Sequence, residues 1–319
     1  MEKIAVLTSG GDAPGMNAAL RAVVHQAAMH EVQVIGISHG YEGLLNREFA
    51  PLDLSSVDDI IQRGGTILRS ARSERFKSEA GQEQAVANLR EAGIEGLVVI
   101  GGEGSYRGAQ ALAERGIATV GVPGTIDNDI PGTDYTIGFD SAVNTVVEAM
   151  NKIRDTATAH ERTFVVETMG RKSGQIALTA GLAGGAESIL IPEVPYNLDN
   201  VCQRLKWSAA RGKVHSIILV AEGVASGYTI AQEVKKRTGF DTRVTVLGHL
   251  QRGGAPTAFD RILASRLGAQ AVESLLEGGS ALAMSYVKDE VLAVPFREVF
   301  AGKKQINRSL YDLAAILAI

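Results

Sequence analysis

Apolar residues fall in two rhythms along this chain. Short, largely apolar runs recur at Ile4-Ala-Val-Leu7, Val32 to Ile37, Leu97-Val-Val-Ile100 and Thr119 to Val122. Runs of that length predict strands covered on both faces, as in a parallel sheet. Between them the spacing becomes helical, and helices are expected from Met16 to Met29, through Gln84 to Glu91, and after Ser105 to Arg115. Strands alternating with helices at these lengths predict a right-handed α/β sheet, which takes ligands outside the carboxyl ends of its strands.

Near Gly138-Phe-Asp140 the pattern starts again. Val143, Val146, Val147, Met150, Ile153 and Ala157 share one helical face, and Arg154 lies off it. Strands are expected at Thr163 to Val166, Ile189-Leu-Ile191 and Ser216 to Val220, with a helix from Asn200 to Ala210 stopped at Gly212. The run Val244-Thr-Val-Leu-Gly-His-Leu250 leads to Gln251-Arg-Gly-Gly254, where the chain should return to its first domain. Ile262, Leu263, Leu267, Leu275 and Leu276 mark a long helix closed by Gly278-Gly279. A short strand pair between Ala281 and Phe296 and a helical tail from Ser309 complete the pattern. The expected division is 1–138 plus 251–301 against 139–250 plus 302–319.

Composition narrows the classes. The chain has 319 residues, and its 36 glycines cluster after apolar runs, which marks tight strand-to-helix turns rather than a linker. A net charge of −4 offers no general attraction for nucleic acid or an anionic membrane, so an anionic substrate must be held by local arginines and helix N-termini. The single cysteine, Cys202, excludes an intramolecular disulfide framework and reads as a small apolar helix residue. Met1-Glu2-Lys3-Ile4 runs straight into a strand, and no apolar run approaches the roughly 20 residues that span a bilayer. A soluble protein of the reducing cytoplasm is expected.

The chemistry concentrates in Gly121-Val-Pro-Gly-Thr-Ile-Asp-Asn-Asp-Ile130. Pro123-Gly124 stop a strand, and a polar loop then presents Thr125, Asp127 and Asp129. In an extended loop, side chains two apart point the same way, so the hydroxyl and both carboxylates can face one pocket. Such a pair suits phosphoryl transfer, one acid accepting a hydroxyl proton and the other holding magnesium. A turn that caps its own backbone is the alternative. Two further glycine-rich strand ends, Thr8-Ser-Gly-Gly-Asp-Ala-Pro-Gly15 and Gly101-Gly-Glu-Gly-Ser105, tip the balance. Neither contains the Gly-Lys-Ser/Thr of a P-loop, and the middle position of a dinucleotide fingerprint is Asp12. What remains is backbone that can approach a phosphate, with a helix N-terminus behind it. Ser70 to Arg75 is too polar for core. Arg162, Arg171, Arg243 and Arg252 sit beside strand ends, where their forks match phosphate oxygens, and His249 could donate to an anion or a sugar hydroxyl.

Taken together, Gly10-Gly-Asp-Ala-Pro-Gly-Met-Asn17, Gly64-Gly-Thr66, Pro123-Gly-Thr-Ile-Asp-Asn-Asp129, Met169-Gly-Arg171, and the segment from Arg243 through Gly-His-Leu-Gln-Arg-Gly-Gly254 with Asp260-Arg261 resemble the bacterial 6-phosphofructokinases. The resemblance runs through essentially the whole chain, in order. It implies two Rossmann-like three-layer α/β domains with mainly parallel sheets and an active site in the cleft between them. The implied reaction moves the γ-phosphoryl group of ATP to the 1-hydroxyl of fructose 6-phosphate, with magnesium, in a homotetramer. By the same resemblance Asp127 is the base, Asp129 acts through the metal shell, and Thr125 and Arg171 contact the transferring group. Gly11, Arg72, Ser73, Gly102, Glu103, Gly104 and Ser105 correspond to ATP positions, with Glu103 and Asp129 as the metal's carboxylates. Thr125, Ile126, Asp127, Met169, Gly170, Arg171, Glu222, His249, Leu250, Gln251 and Arg252 correspond to sugar-phosphate positions, and Arg162 and Arg243 to arginines reaching in from a neighbouring subunit. A separate effector site, activated by ADP and inhibited by phosphoenolpyruvate, corresponds to Arg21, His25, Arg154, Gly185, Ala186, Glu187, Arg211, Lys213, Val214 and His215.

Three departures from the family pattern stand out, one of them a residue pair. Glu103 stands where the family's turn normally carries aspartate, and its extra methylene moves the carboxylate by roughly 1 Å. His25 stands where the effector site often has arginine, and Lys172-Ser173 replaces a pair that varies. The pyrophosphate-dependent branch carries aspartate and lysine at the positions of Gly104 and Gly124, so glycine at both favours ATP. Kinases acting on NAD or lipids share a Gly-Gly-Asp-Gly turn but not the motifs at Met169 and His249. A catalytically impaired nucleotide and sugar-phosphate sensor is the reading from a different class, and rests on Glu103 alone.

Overall fold

The computed structural model describes residues 1–318. In chain order the elements are β1 (Lys3–Ser9), α1 (Met16–Met29), β2 (Gln33–Ile37), α2 (Gly40–Asn46), β3 (Phe49–Leu52), α3 (Glu79–Glu91), β4 (Gly96–Gly101), α4 (Glu103–Ala113) and β5 (Ala118–Pro123). They continue as α5 (Phe139–Ala159), β6 (Thr163–Thr168), α6 (Gln175–Ala183), β7 (Ser188–Leu190), α7 (Leu198–Ala210), β8 (Ser216–Ala221), α8 (Gly227–Thr238) and β9 (Thr242–Val246). The chain ends with α9 (Ala258–Leu276), β10 (Leu282–Val287), β11 (Glu290–Pro295), α10 (Phe296–Ala301) and α11 (Arg308–Leu317). Two units emerge: residues 1–126, 130–140 and 252–304, and residues 127–129, 141–251 and 305–319.

The first unit holds a seven-stranded sheet in the order β11-β10-β5-β4-β1-β2-β3. The strands from β10 to β2 run parallel, and the edge strands β11 and β3 pair antiparallel. β1 and β4 are buried almost throughout, which is why their sequences read as continuous apolar runs. The second unit holds a four-stranded parallel sheet in the order β7-β8-β6-β9. Its α11 packs on α6.

Four helices and one strand lie outside what the apolar rhythm marks. β3 is a short, part-exposed edge strand containing Pro51, a residue confined to edges because it cannot donate to a ladder. α2 is seven residues long and sits between His39 and Arg47, both left-handed, so it never shows a helical period. α6 is mostly buried and apolar on nearly every face, which erases a stripe. α8 is half exposed but begins with Ser226 accepting from the Tyr228 N–H and ends at left-handed Gly239, the usual start and stop signals. α10 is a single short helix after β11. No helix among the described residues is long and apolar enough to cross a membrane.

The order of strands places the first unit's ligand position. From β1 the chain moves to β2 on one side and then to β4 on the other, so the connections leave in opposite directions between β1 and β4. Such a switch point opens a crevice at the carboxyl ends of the two strands.

Candidate active site

Three neighbouring strands of the first unit end on one rung. Ser9 at the end of β1 pairs with Gly101 at the end of β4, and Gly101 pairs with Pro123 at the end of β5. The turns beginning at Gly10, Gly102 and Gly124 therefore start side by side. Gly10 has a φ of 87°, in the left-handed region that favours glycine. A side chain on Gly11 would strike the Arg252 guanidinium, its Cβ standing 2.7 Å from Nη2. Arg252 itself donates to Asp12 Oδ1 at 2.5 Å. Gly102 precedes the first turn of α4, and a Cβ on Gly104 would meet nothing within 4 Å. This turn thus offers an open backbone and a helix N-terminus, the geometry that accepts an anion. Ser105 is buried, and its carbonyl accepts from the Tyr41 hydroxyl at 2.6 Å.

Buried Asn17, the second residue of α1, braces this edge. Its Nδ2 donates to the Arg63 carbonyl at 3.1 Å, and its Oδ1 accepts from the Ile67 N–H at 2.8 Å. Ser70 Oγ donates to the Gly10 carbonyl at 2.7 Å, so the 63–70 segment is laced to the β1 turn. Gly64 lets the same segment lie against the 254 turn, because a Cβ there would lie 2.2 Å from the Gly254 carbonyl oxygen. Arg72 is exposed, whereas Ser73 Oγ already donates to Glu42 at 2.6 Å and accepts from the Phe76 N–H at 3.1 Å. Asn17 ended a motif in the sequence reading without a role of its own, and Glu42 escaped it. A lone asparagine in the apolar start of α1 was the available signal.

The loop after β5 differs from the extended form expected. Thr125 accepts from Thr136 Oγ1 at 2.6 Å through its carbonyl and donates its N–H to the Ile137 carbonyl at 3.1 Å. Asn128 then adopts a φ of 47°, which turns the chain and removes the alternation on which a common direction for residues 127 and 129 was argued. Asp127 is buried and Asp129 exposed. Gly138, where the loop returns, donates to the buried Asp260 carboxylate at 2.9 Å.

In the second unit the same logic applies to β6, β8 and β9, whose carboxyl ends carry Met169-Gly-Arg171, Glu222 and residues 247–251. Glu222 Oε1 accepts from the Gly170 and Arg171 N–H groups at 3.2 and 2.7 Å. Gln251, with no exposed surface, accepts from the Met169 N–H at 3.3 Å and donates to the Gly248 carbonyl at 3.1 Å. Its amide is consumed by backbone at both ends. His249 and Leu250 are exposed beside it. Arg171 stands in a left-handed conformation, φ 53°, with Nε 3.5 Å from Asp127 Oδ2. Ser173 Oγ donates to the Asp127 carbonyl at 3.0 Å, so a position that read as variable holds the backbone of the acid.

Arg162 and Arg243 lie elsewhere in this unit. Arg162 precedes β6, and Arg243 pairs with Phe164 near the start of that strand. Both bind Asp241, at 2.7 and 3.2 Å, and these partners hold the Asp241 carboxyl below its ordinary range. A six-residue strand covers roughly 20 Å, so these arginines and the Met169 turn mark opposite ends of β6 in one chain.

A further cluster gathers Arg154, Glu187, Lys213 and His215. Glu187 is buried, ion-pairs with Lys213 Nζ and accepts from the Ile217 N–H at 2.5 Å. Arg154 donates to the Gly184 carbonyl and, at 3.4 Å, to that of Gly185. Ala186 is buried next to them. Burial pushes the His215 imidazole below its ordinary range, although Glu187 opposes the shift. Arg211 instead lies over the Trp207 ring at 4.3 Å, and Val214 is exposed. Arg21 and His25 belong to α1, in the first unit. Burial and then Arg21 lower the His25 imidazole, while Asp58 resists. No group of three or more His, Cys, Asp or Glu among the described residues could hold a metal by itself.

The sequence profile of the phosphofructokinase family matches residues 3–275. A Brevibacillus brevis protein named ATP-dependent 6-phosphofructokinase is 60% identical over 319 residues, with 100% of both chains covered. A structure of phosphofructokinase from Saccharomyces cerevisiae matches at a TM-score of 0.90 and 35% identity, over 100% of this chain and 48% of the yeast chain. A pyrophosphate-dependent phosphofructokinase from Marinobacter aquaeolei matches at a TM-score of 0.85 and 26% identity, over 97% of this chain and 86% of that one.

The Gln251 contacts make a testable statement. Gln251→Leu keeps the volume but strands the Met169 N–H and the Gly248 carbonyl. Hydrogen exchange in the 169–171 turn should accelerate by roughly ten-fold or more, as a loss of about 1–2 kcal/mol of local hydrogen bonding implies. Unchanged exchange would show that the turn holds without Gln251.

Proposed function

The chain belongs to the phosphofructokinase family, and from that premise we infer that it transfers the γ-phosphoryl group of ATP to the 1-hydroxyl of fructose 6-phosphate, giving fructose 1,6-bisphosphate and ADP. The observation that carries the site assignment is the buried Asp127 with Arg171 at 3.5 Å and Ser173 fastening its backbone. A carboxylate held this way is a general base with little freedom to wander. Asp127 accepts the proton of the 1-hydroxyl as that oxygen forms its bond to the γ-phosphorus and ADP departs. Arg171, two-thirds exposed, turns its guanidinium to the transferring oxygens, with Thr125 as a further donor.

The turns at Gly11, Gly102, Gly104 and Ser105, with Arg72 and Ser73, are proposed to take ATP. Met169, Gly170, Glu222, His249, Leu250 and Arg252 are proposed to take the sugar phosphate, while Gln251 holds two of these turns in place. The carboxylates of Glu103 and Asp129 suit magnesium, a hard cation that commonly uses one or two carboxylates and draws its other oxygens from substrate phosphates and water. Bound there, it would neutralise charge on the β- and γ-phosphates. The separation of Arg162 and Arg243 from the Met169 turn supports their acting on a neighbouring subunit's sugar phosphate, in a homotetramer. Arg154, Glu187, Lys213 and His215, with Gly185, Ala186, Arg211, Val214, Arg21 and His25, are proposed as the effector site for ADP and phosphoenolpyruvate.

Asp127→Asn tests the base directly. Turnover should fall roughly 10²–10⁴-fold while fructose 6-phosphate still binds. Near-normal turnover would remove Asp127 from that role.

The lowered His25 imidazole gives a second test. A histidine held below its ordinary value near 6.5 is neutral by about pH 8 and adds no charge there to attract an anion, and it gains charge only as pH falls. His25→Arg should bind phosphoenolpyruvate a few-fold tighter at about pH 8, with the gap closing as pH is lowered. Equal affinities throughout would take His25 out of the effector site.

A further inference from the structure

The first turn of α4 carries a pair that the reaction itself does not require. Arg107 Nη2 donates to Glu103 Oε1 at 2.5 Å, and Arg107 Nε donates to the same oxygen at 3.1 Å. Exposed pairs one helical turn apart ordinarily hold their partners loosely. Arg107 is seated from a second side, however, with its guanidinium carbon 4.6 Å from the centre of the Phe300 ring. Phe300 in turn stacks on fully buried Phe296, which packs on fully buried Tyr106. One face of the guanidinium is therefore seated on the ring, although the Arg107 side chain stays 60% exposed, and Glu103 accepts from its Nε and Nη2.

We propose that Arg107 is a positioning residue that competes with the nucleotide's cation for the Glu103 carboxylate. The proposal rests on the reading of Glu103 as a magnesium ligand and adds what that ligand does beforehand. Both hydrogen bonds fall on one carboxylate oxygen, so a cation that draws this oxygen must displace the guanidinium. The four-residue spacing on one helix face brings the Glu103 carboxylate to Arg107. The cation's affinity is then set by an exchange of partners rather than by capture of a waiting carboxylate. Arg107 sets that affinity without touching metal or substrate.

The test is calorimetric titration with the non-hydrolysable analogue adenylyl imidodiphosphate, once in EDTA and once in magnesium. The ratio of the two dissociation constants isolates the cation's contribution and needs no turnover. Arg107→Gln should raise the ratio about two- to five-fold, the range expected when an exposed ion pair no longer competes. Glu103→Gln should lower it, and adding Arg107→Gln to that variant should change it no further. Phe300→Leu unseats Arg107 while keeping its charge, and should move the ratio in the same direction by a smaller factor. It also serves if Arg107→Gln does not fold. An unchanged ratio in Arg107→Gln with a lowered ratio in Glu103→Gln would overturn the competition and leave Glu103 a ligand. No change in either variant would remove Glu103 from the metal, and the competition with it. Equal weakening with and without magnesium would make Arg107 a direct nucleotide contact and overturn the proposal.

Discussion

The register of β1, β4 and β5 is the constraint on which the first unit's chemistry depends. Because Ser9, Gly101 and Pro123 share one rung, three loops leave the sheet together. A slip of one residue in any of these strands would exchange the side chains that its two buried faces present to the packed helices, so core packing enforces the alignment. The hydrophobic core thus fixes where a phosphate chain can lie against backbone. Loops laced by Asn17, Ser70 and Tyr41 then need only small polar contacts to stay in place.

The second unit solves its placement differently. Its turns are tied by side chains that reach across strand ends, Glu222 to residues 170 and 171, and Gln251 to Met169 and Gly248. Glu222 is exposed, whereas Gln251 is sealed. Arg171, left-handed and two-thirds exposed, is the open member of this set, whereas Asp127 is buried and fastened through Ser173. Such a pairing meets what the proposed transfer asks of a positioned proton acceptor.

The central strands were legible because burial on both faces leaves an unbroken apolar run, as in Leu97 to Ile100. The helical stripe from Val143 to Ala157 was legible because α5 has one apolar face. α2 and α6 were not, one too short for a period and the other apolar nearly all round. At the site, glycine spacing revealed the turns at Gly10 and Gly101, since only backbone approach explains several such turns in sequence. The loop carrying Asp127 was found for its residues but with the wrong geometry, because a left-handed Asn128 leaves no trace in a two-residue alternation. Asn17, Gln251 and Ser173 work by holding backbone, and such roles depend on distant segments that no local pattern records. The Glu103–Arg107 pair is visible as a four-residue spacing, but the seat that Phe300 provides is not.

Gly104 and Gly124 bear on the choice of phosphoryl donor. A Cβ on Gly104 would enter open space, while one on Gly124 would press on Met16 at 2.9 Å and Ile100 at 3.1 Å. Position 124 is thus held to glycine by the core at Met16 and Ile100, whereas the turn at Gly104 opens on free space. The most direct measurement is formation of fructose 1,6-bisphosphate by the purified chain with fructose 6-phosphate and magnesium, supplied with ATP or with pyrophosphate. Product with ATP and none with pyrophosphate is the predicted result. Product with pyrophosphate, or none with either donor, would contradict it.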